Sequence, residues 1–127
     1  MTDAAQQRVN MVDSQVRPSD ITDRRIIRAM LDIPREHFVP PAAQTIAYFD
    51  GDVALGGGRA LLAPRTVAKL VQLAELDEGD KVLVAGCATG YAAAVFARMW
   101  PSCRRCTFAA LAGSVRRSSP LITRARA

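Results

Sequence analysis

The stretch that most constrains the fold runs from Lys81 to Met99, where a short apolar run leads into a glycine-rich turn and then an alanine-rich segment. The apolar residues 82–85 are few and include two valines, which is typical of a buried parallel strand. Alanine has the highest intrinsic helix propensity, so residues 91–99 are predicted to form a helix. The stretch therefore predicts strand, tight turn and helix, the first unit of a cofactor-binding α/β domain.

The turn from Gly86 to Gly90 favours a ligand site but does not identify the ligand. Glycine adopts backbone conformations that other residues avoid, and it lets a ligand approach the main chain closely. The start of the next helix offers free N–H groups and the positive end of the helix dipole. Ala88 stands where the dinucleotide fingerprint has its middle glycine, and the lysine of a phosphate-binding P-loop is absent. An ordinary strand-to-helix turn packed with small residues is the alternative.

The residues before this unit are predicted to form three helices separated by turns. Thr22 is a candidate cap for the second helix, and Pro64 suits the first turn of the third. The stretch 48–63 holds four of the eight glycines and is predicted to be irregular and mobile or ligand-facing. The predicted buried positions are Val9, Val12 and Val16; Ile26, Ile27, Met30 and Leu31; and Val67, Leu70, Val71 and Ala74.

The basic excess of the 127-residue chain, net +5, is confined to its last 27 residues. Residues 1–100 hold 11 Lys and Arg against 12 Asp and Glu, whereas residues 101–127 hold six Arg and no acidic residue. A nucleic-acid partner needs a basic face on the folded body, so none is expected. No apolar run approaches the roughly 18 to 20 residues that span a membrane, and the first residues are polar. We therefore expect no membrane partner and a cytoplasmic location.

The cysteines give little support for a metal site. Cys103 and Cys106 have C-x-x-C spacing, which provides two of the four ligands of a zinc site. The sequence has no second pair, and His37 is distant from both. Three cysteines are an odd number, and nothing indicates a disulfide framework. We expect no metal.

Four segments, taken in their order and spacing, resemble the protein-L-isoaspartate O-methyltransferase family, most closely its shorter, divergent bacterial branch. The resemblance covers roughly residues 8 to 99. It implies a Rossmann-like fold that binds S-adenosylmethionine, and an enzyme that repairs damaged proteins by methylating the side-chain carboxylate of isoaspartyl residues. The four segments are 11–17, 34–40, 47–50 and 81–91. By resemblance, the cofactor-binding residues are Gly86, Cys87, Ala88, Thr89, Gly90 and Tyr91.

The resemblance also implies a substrate loop, and here the sequence departs from the family. The family has a Thr-Ile-Ser stretch before its proline, and Leu62 stands at the position of the hydroxyl that assists transfer. The catalytic residue is therefore unknown, and impaired methylation is expected. The family also has an acidic residue where Val84 stands, and another that holds the ribose hydroxyls; no Asp or Glu follows Trp100. The loop comprises Gly57, Gly58, Arg59, Ala60, Leu61 and Leu62.

These observations predict an α/β fold in which only the first strand-turn-helix unit of the sheet is present. Residues 1–63 would form an N-terminal helical region with the substrate loop, and residues 64–100 the start of the cofactor-binding domain. Residues 101–127 are expected to be an aberrant basic tail, disordered and of truncated or frameshifted origin. A lone strand would expose two unpaired edges, so we expect no cooperative folding.

Tyr91 has two alternative roles, stacking on the cofactor or covering the core, and both stay open at this point. The chain as a whole has two alternative functions besides methyl transfer. One is a non-catalytic remnant or interaction module that retains part of the cofactor-binding fold. The other, a nucleotide-binding oxidoreductase fragment, is disfavoured because three helices precede the first strand.

Overall fold

The computed structural model describes residues 3–86, 88–100, 107–109 and 121–125. Four α-helices and five strands follow one another along these residues, with short 3-10 helices between them. The helices are α1 (Ala4–Met11), α2 (Arg24–Asp32), α3 (Pro64–Leu73) and α4 (Tyr91–Met99). A π-helical turn (Val12–Val16) and 3-10 helices (Arg17–Ser19, Arg35–Phe38, Pro41–Ile46) complete the helical segments. The strands are β1 (Val53–Gly56), β2 (Arg59–Leu61), β3 (Lys81–Ala85), β4 (Thr107–Ala109) and β5 (Leu121–Ala125).

The first predicted helix continues in a different geometry beyond Met11. Val12 and Val16 are fully buried as predicted, but Val9 is exposed and Met11 takes its place in the core. The π-helical turn after Met11 has more residues per turn than an α-helix. Because the spacing changes there, a single 3.6-residue period does not describe the buried face of the whole segment.

Helix α2 begins one residue later than predicted. The cap is Asp23, whose side chain accepts a hydrogen bond from the backbone N–H of Arg25, and not Thr22. Ile26 and Met30 are fully buried, as the sequence predicts. Asp32 at the end of α2 forms an ion pair with Arg98 of α4 at 2.6 Å, so the two helices are joined.

The stretch predicted to be irregular contains an antiparallel hairpin made of β1 and β2. Val53 pairs with Leu61, and Gly57 and Gly58 connect the strands with φ of +60° and +76°. A two-residue connection of this kind requires positive φ, which glycine adopts without strain. The expectation of irregular backbone is therefore wrong for residues 53–56 and 59–61.

Strand β3 is the central strand of a three-stranded sheet with the order β4-β3-β5. β4 runs parallel to it and β5 antiparallel. The α/β class is confirmed, but the predictions of a single lone strand and of a tail without regular structure are wrong for residues 107–109 and 121–125. Both edges of β3 carry backbone N–H and C=O groups, and these extended segments satisfy them. The other residues of the predicted tail lie outside the described residues.

Within the described residues the sheet is covered on one face, whereas the sequence predicts a strand buried on both. Val82 and Val84 are buried in the main core, while Leu83 between them is 43% exposed. Such alternation is typical of a sheet with one solvated face. The core extends from Met11 to Met99 of α4 and joins the helical layer to the sheet.

Candidate functional site

The turn between β3 and α4 leaves its backbone open to a ligand. Gly86 and Gly90 have φ of +67° and +92°, and a Cβ atom at either position would meet nothing within 4 Å. Ala88 also has positive φ, +48°. We call residues 86–91 the glycine turn. Its backbone fits the close approach of a cofactor, since open space lies where side chains would otherwise stand.

The start of α4 adds hydrogen-bond donors to the glycine turn. Its first backbone bond runs from the N–H of Ala94 to the C=O of Gly90, and no side chain caps the helix. The N–H groups of residues 91–93 therefore have no partner within the helix, and they carry the positive end of its dipole. Such an end binds a polar or negatively charged group of a ligand.

Tyr91 contributes to the core and not to an exposed stacking surface. Its side chain is fully buried. The guanidinium of Arg35 lies 4.9 Å from its ring centroid, and the ring of Phe38 meets it edge-on at 5.5 Å. Burial raises the pKa of the Tyr91 hydroxyl, although the neighbouring Arg35 opposes the shift. Of the two alternatives for Tyr91, the structure favours covering the core.

This chain lacks the acidic residues that the family has at two positions. Val84 is fully buried, so an apolar side chain suits its environment. β4, the parallel neighbour of β3, has the sequence Thr-Phe-Ala, and no carboxylate follows it in the chain. The structure thus provides the glycine turn, but no carboxylate beyond the end of the neighbouring strand.

The predicted substrate loop, residues 57–62, forms the tip and second strand of the hairpin. Its residues 57–60 are exposed, Leu61 is buried and Leu62 is half-buried. The hairpin is fastened at its base, where Asp52 Oδ1 accepts the backbone N–H of Ala63 at 2.8 Å. Nearby, Arg65 and Asp50 form an ion pair at 2.9 Å. The loop is thus an exposed tip on a fixed base.

Arg35 connects the loop to the glycine turn, although no sequence pattern predicts a site there. Its Nη2 donates to the C=O of Leu62 at 2.7 Å and its Nε to the C=O of Ala47 at 2.6 Å. Burial lowers the pKa of this guanidinium, which nevertheless remains charged because the pKa of arginine is ordinarily above about 12. A single Arg after a proline gives no sequence signal of burial.

Glu36, the residue after Arg35, forms a hydrogen-bonded pair with Tyr48. The Tyr48 hydroxyl donates to Glu36 Oε2. Partial burial would raise the pKa of Glu36, but the bond from Tyr48 and neighbouring positive charges hold it below its usual value. Burial and the same bond raise the pKa of Tyr48. Gln15 donates to the C=O of Tyr48 at 2.9 Å, so the pair is also tied to the π-helical turn.

The candidate metal ligands are not brought together in the described part of the chain. Cys87, Cys103 and Cys106 lie outside it, and His37 is exposed. Among the described residues, no three His, Cys, Asp or Glu side chains form a group that could hold a metal ion. Within the same residues, no helix is both long enough and apolar enough to cross a bilayer.

Fold and site together define an α/β protein with an open glycine turn beside a fastened hairpin. The family model described as "Protein-L-isoaspartate(D-aspartate) O-methyltransferase (PCMT)" matches residues 6–126. The chain belongs to this family. The match also passes beyond Met99, so the expectation that the likeness ends there is wrong.

Curated relatives agree with this assignment. The chain is 45% identical over 94 residues to a protein-L-isoaspartate O-methyltransferase of Herpetosiphon aurantiacus, covering 74% of this chain and 42% of the relative. It is 42% identical over 97 residues to the protein of the same name from Methylorubrum extorquens, covering 76% and 42%. A third, from Anaeromyxobacter sp., is 40% identical over 93 residues, covering 73% and 38%. The chain spans about two fifths of the length of these curated relatives.

Proposed function

We propose that the chain takes part in S-adenosylmethionine-dependent methyl transfer to the side-chain carboxylate of isoaspartyl residues in damaged proteins. The observation that carries the proposal is the open glycine turn leading into the uncapped start of α4, in a member of this family. Residues 1–63 would supply the acceptor side and residues 64–100 the donor side.

The cofactor would lie against the glycine turn. Gly86, Ala88 and Gly90 would allow its close approach to the backbone, and Cys87 and Thr89 complete the loop. Tyr91 would contribute through its backbone N–H, because its side chain is buried. When bound, the sulfonium of S-adenosylmethionine supplies an already activated methyl group. The protein then has mainly to align donor and acceptor, and a carboxylate needs no strong base.

The donor site is tested by titrating S-adenosylmethionine into Gly86→Val and Gly90→Val in a calorimeter. Side chains at positive φ cost roughly 1–2 kcal/mol and would fill the open space, so we expect a loss of affinity of about tenfold or more. Gly79→Val is the matched control, because Gly79 also has nothing within 4 Å but no positive φ. Circular dichroism verifies that the variants fold. Unchanged affinity in both variants would remove the glycine turn as the donor site.

The acceptor side is expected to work poorly because of Leu62. Its side chain can neither donate nor accept a hydrogen bond where the family has a hydroxyl. We predict little methylation of an isoaspartyl peptide, and a gain of about tenfold in Leu62→Ser, since a hydrogen bond to a charged group contributes roughly 1.5–3 kcal/mol. Transfer of a radiolabelled methyl group measures this. Leu62→Ala controls for the smaller side chain; an equal gain in both variants would contradict a role for the hydroxyl.

The second candidate function is a non-catalytic module that keeps part of the cofactor-binding fold. Leu62 at the hydroxyl position and the absence of an acidic residue directly after β4 favour it. Binding of S-adenosylmethionine without transfer in the wild type and in Leu62→Ser would identify this function. Measurable transfer by either protein would exclude it.

A further inference from the structure

Arg35 is a buried cation with no carboxylate at ion-pair distance among the described residues. Its side chain is 0% exposed. The four ion pairs in this part of the chain involve other arginines, all of them about half exposed. Taking a charge out of water is costly unless hydrogen bonds and aromatic faces compensate for the lost solvent. The contacts that compensate here therefore reveal what the residue does.

Those contacts join three segments that are far apart in sequence. Nε bonds to the C=O of Ala47, 12 residues away, and Nη2 to the C=O of Leu62, 27 residues away. Its Cζ lies over the ring of Tyr91, the last residue of the glycine turn, at 4.9 Å from the ring centroid. A guanidinium presents its donors in a rigid planar fork, so two fixed carbonyls at Nε and Nη2 and a ring orient it, although the buried Nη1 has no hydrogen-bond partner among the described residues. A lysine ammonium has neither the fork nor the flat face.

Phe38 strengthens the same junction from the same 3-10 helix. Its ring meets Tyr91 edge-on, with an angle of 71° between the ring planes. The short helix Arg35–Phe38 thus contacts Tyr91 through both of its end residues. Because α4 begins at Tyr91, a shift of this ring would move the helix start that closes the glycine turn.

We propose that Arg35 is a positioning residue, which clamps the predicted substrate loop at Leu62 against Tyr91 of the glycine turn and so fixes the distance between methyl donor and acceptor. The inference rests on the proposed function. In-line transfer depends on the alignment of the two reactants, and a displacement of about 1 Å can lower the rate about a hundredfold. The glycine turn holds the cofactor through its own backbone, so the clamp acts on turnover more than on cofactor binding.

The test uses Arg35→Lys and Arg35→Met, with Arg25→Met as the matched control. Arg25 also lies over an aromatic ring, that of Trp100 at 4.7 Å, but it is exposed. In the Leu62→Ser background, in which transfer is expected to be higher, Arg35→Lys should lower kcat by about tenfold to a hundredfold, while the affinity for S-adenosylmethionine changes by less than about threefold. Amide exchange should become faster in residues 53–63 and 88–91 and stay unchanged in α1. Arg25→Met should leave kcat per folded molecule and exchange in residues 53–63 unchanged.

Other outcomes separate the clamp from general stability and from the proposed function. If exchange in the Arg35 variants became equally faster throughout the chain and kcat per folded molecule stayed unchanged, the clamp would be overturned. Arg35 would then contribute only to the overall stability of the fold. Unchanged exchange in residues 53–63 would also overturn it. If Arg35→Met does not fold, Arg35→Lys decides. Locally faster exchange in Arg35→Lys with no methyl transfer by either the wild type or Leu62→Ser would overturn the proposed function and still support the clamp.

Discussion

Replacing Asp23 with alanine is expected to loosen the helix that supports the glycine turn. Asp23 Oδ1 accepts the backbone N–H of Arg25 at 2.9 Å, which caps α2. Both carboxylate oxygens also accept from the Arg25 side chain, Oδ1 from Nε at 3.1 Å and Oδ2 from Nη2 at 2.8 Å. The far end of α2 is joined to α4 by the ion pair between Asp32 and Arg98. Stability lost at Asp23 therefore reaches the helix that follows the turn.

The two roles of Asp23 have different expected magnitudes. Replacing a helix cap with alanine costs typically about 1 kcal/mol. The side chain of Arg25 is 49% exposed and that of Asp23 24%, so their ion pair adds roughly 0.2–1 kcal/mol. Asp23→Ala should therefore lower the free energy of unfolding by about 1–2 kcal/mol. Asp23→Asn keeps an acceptor for the N–H and should cost less than about 1 kcal/mol.

The charge contribution of Asp23 should depend on pH. The hydrogen bond from the Arg25 side chain lowers the pKa of Asp23 from its ordinary 3.8, against the opposing effect of partial burial. A carboxyl whose folded pKa is lowered stabilises the fold above its ordinary pKa, and this stabilisation is lost as pH falls through the folded pKa. The difference between wild type and Asp23→Asn should therefore be constant near neutral pH and shrink below about pH 4.

Urea denaturation followed by circular dichroism at several pH values measures these differences. Thr22→Ala is the matched control, since Thr22 is the neighbouring residue that the sequence favours as the cap. The reasoning would be refuted if Thr22→Ala destabilised the protein as much as Asp23→Ala. A loss in Asp23→Asn equal to that in Asp23→Ala would likewise show that the charge, and not the cap, is what matters.

Three further predictions concern the core, the sheet and the acid response. Phe96→Ala should lower the free energy of unfolding by about 3–5 kcal/mol, because Phe96 is fully buried. Phe49→Ala should lower it much less, because Phe49 is 59% exposed. Similar losses for the two variants in urea denaturation would contradict the described core. Ile122→Pro should speed amide exchange in β3, because proline cannot donate to the strand pairing, and unchanged exchange would mean that β5 does not pair there. Tyr48→Phe should raise the lowered pKa of Glu36 towards its ordinary value. The free energy of unfolding should then fall less steeply on acidification from about pH 5, as it should in Glu36→Gln. An unchanged dependence on pH would exclude Tyr48 as the cause of the lowered pKa.

The elements that the sequence predicts well are those whose determinants are local. Pro64 begins α3 as predicted, and β3 and α4 occupy the stretch expected from valine and alanine content. The hairpin also had a local signal, because Gly57 and Gly58 separate two short runs, a pattern typical of a two-residue hairpin connection. The four glycines within 48–63 equally favour an irregular, mobile stretch, so the pattern alone does not decide for the hairpin.

Other features depend on partners distant in sequence. The cap at Asp23 and the preceding Thr22 are equivalent as sequence signals, and the hydrogen bond to Arg25 decides between them. The neighbours of β3 come from a segment whose composition favours disorder. The burial of Arg35 follows from two backbone carbonyls and an aromatic ring 12 to 56 residues away. No periodicity or motif within a short window carries that information.

The backbone nature of those contacts bears on how the substrate loop tolerates substitution. Arg35 bonds to the carbonyl of Leu62, and Asp52 bonds to the N–H of Ala63, so neither contact requires a particular side chain in the loop. Residue 62 can therefore change from a hydroxyl to leucine while the hairpin keeps its place beside Tyr91. The backbone position of residue 62 is then independent of its side chain, so Leu62→Ser changes the chemistry of the side chain and leaves the hairpin backbone in place. Loss of Arg35 would have the opposite effect, because the hairpin backbone would lose its contact at Leu62 while every side chain of the loop stays the same.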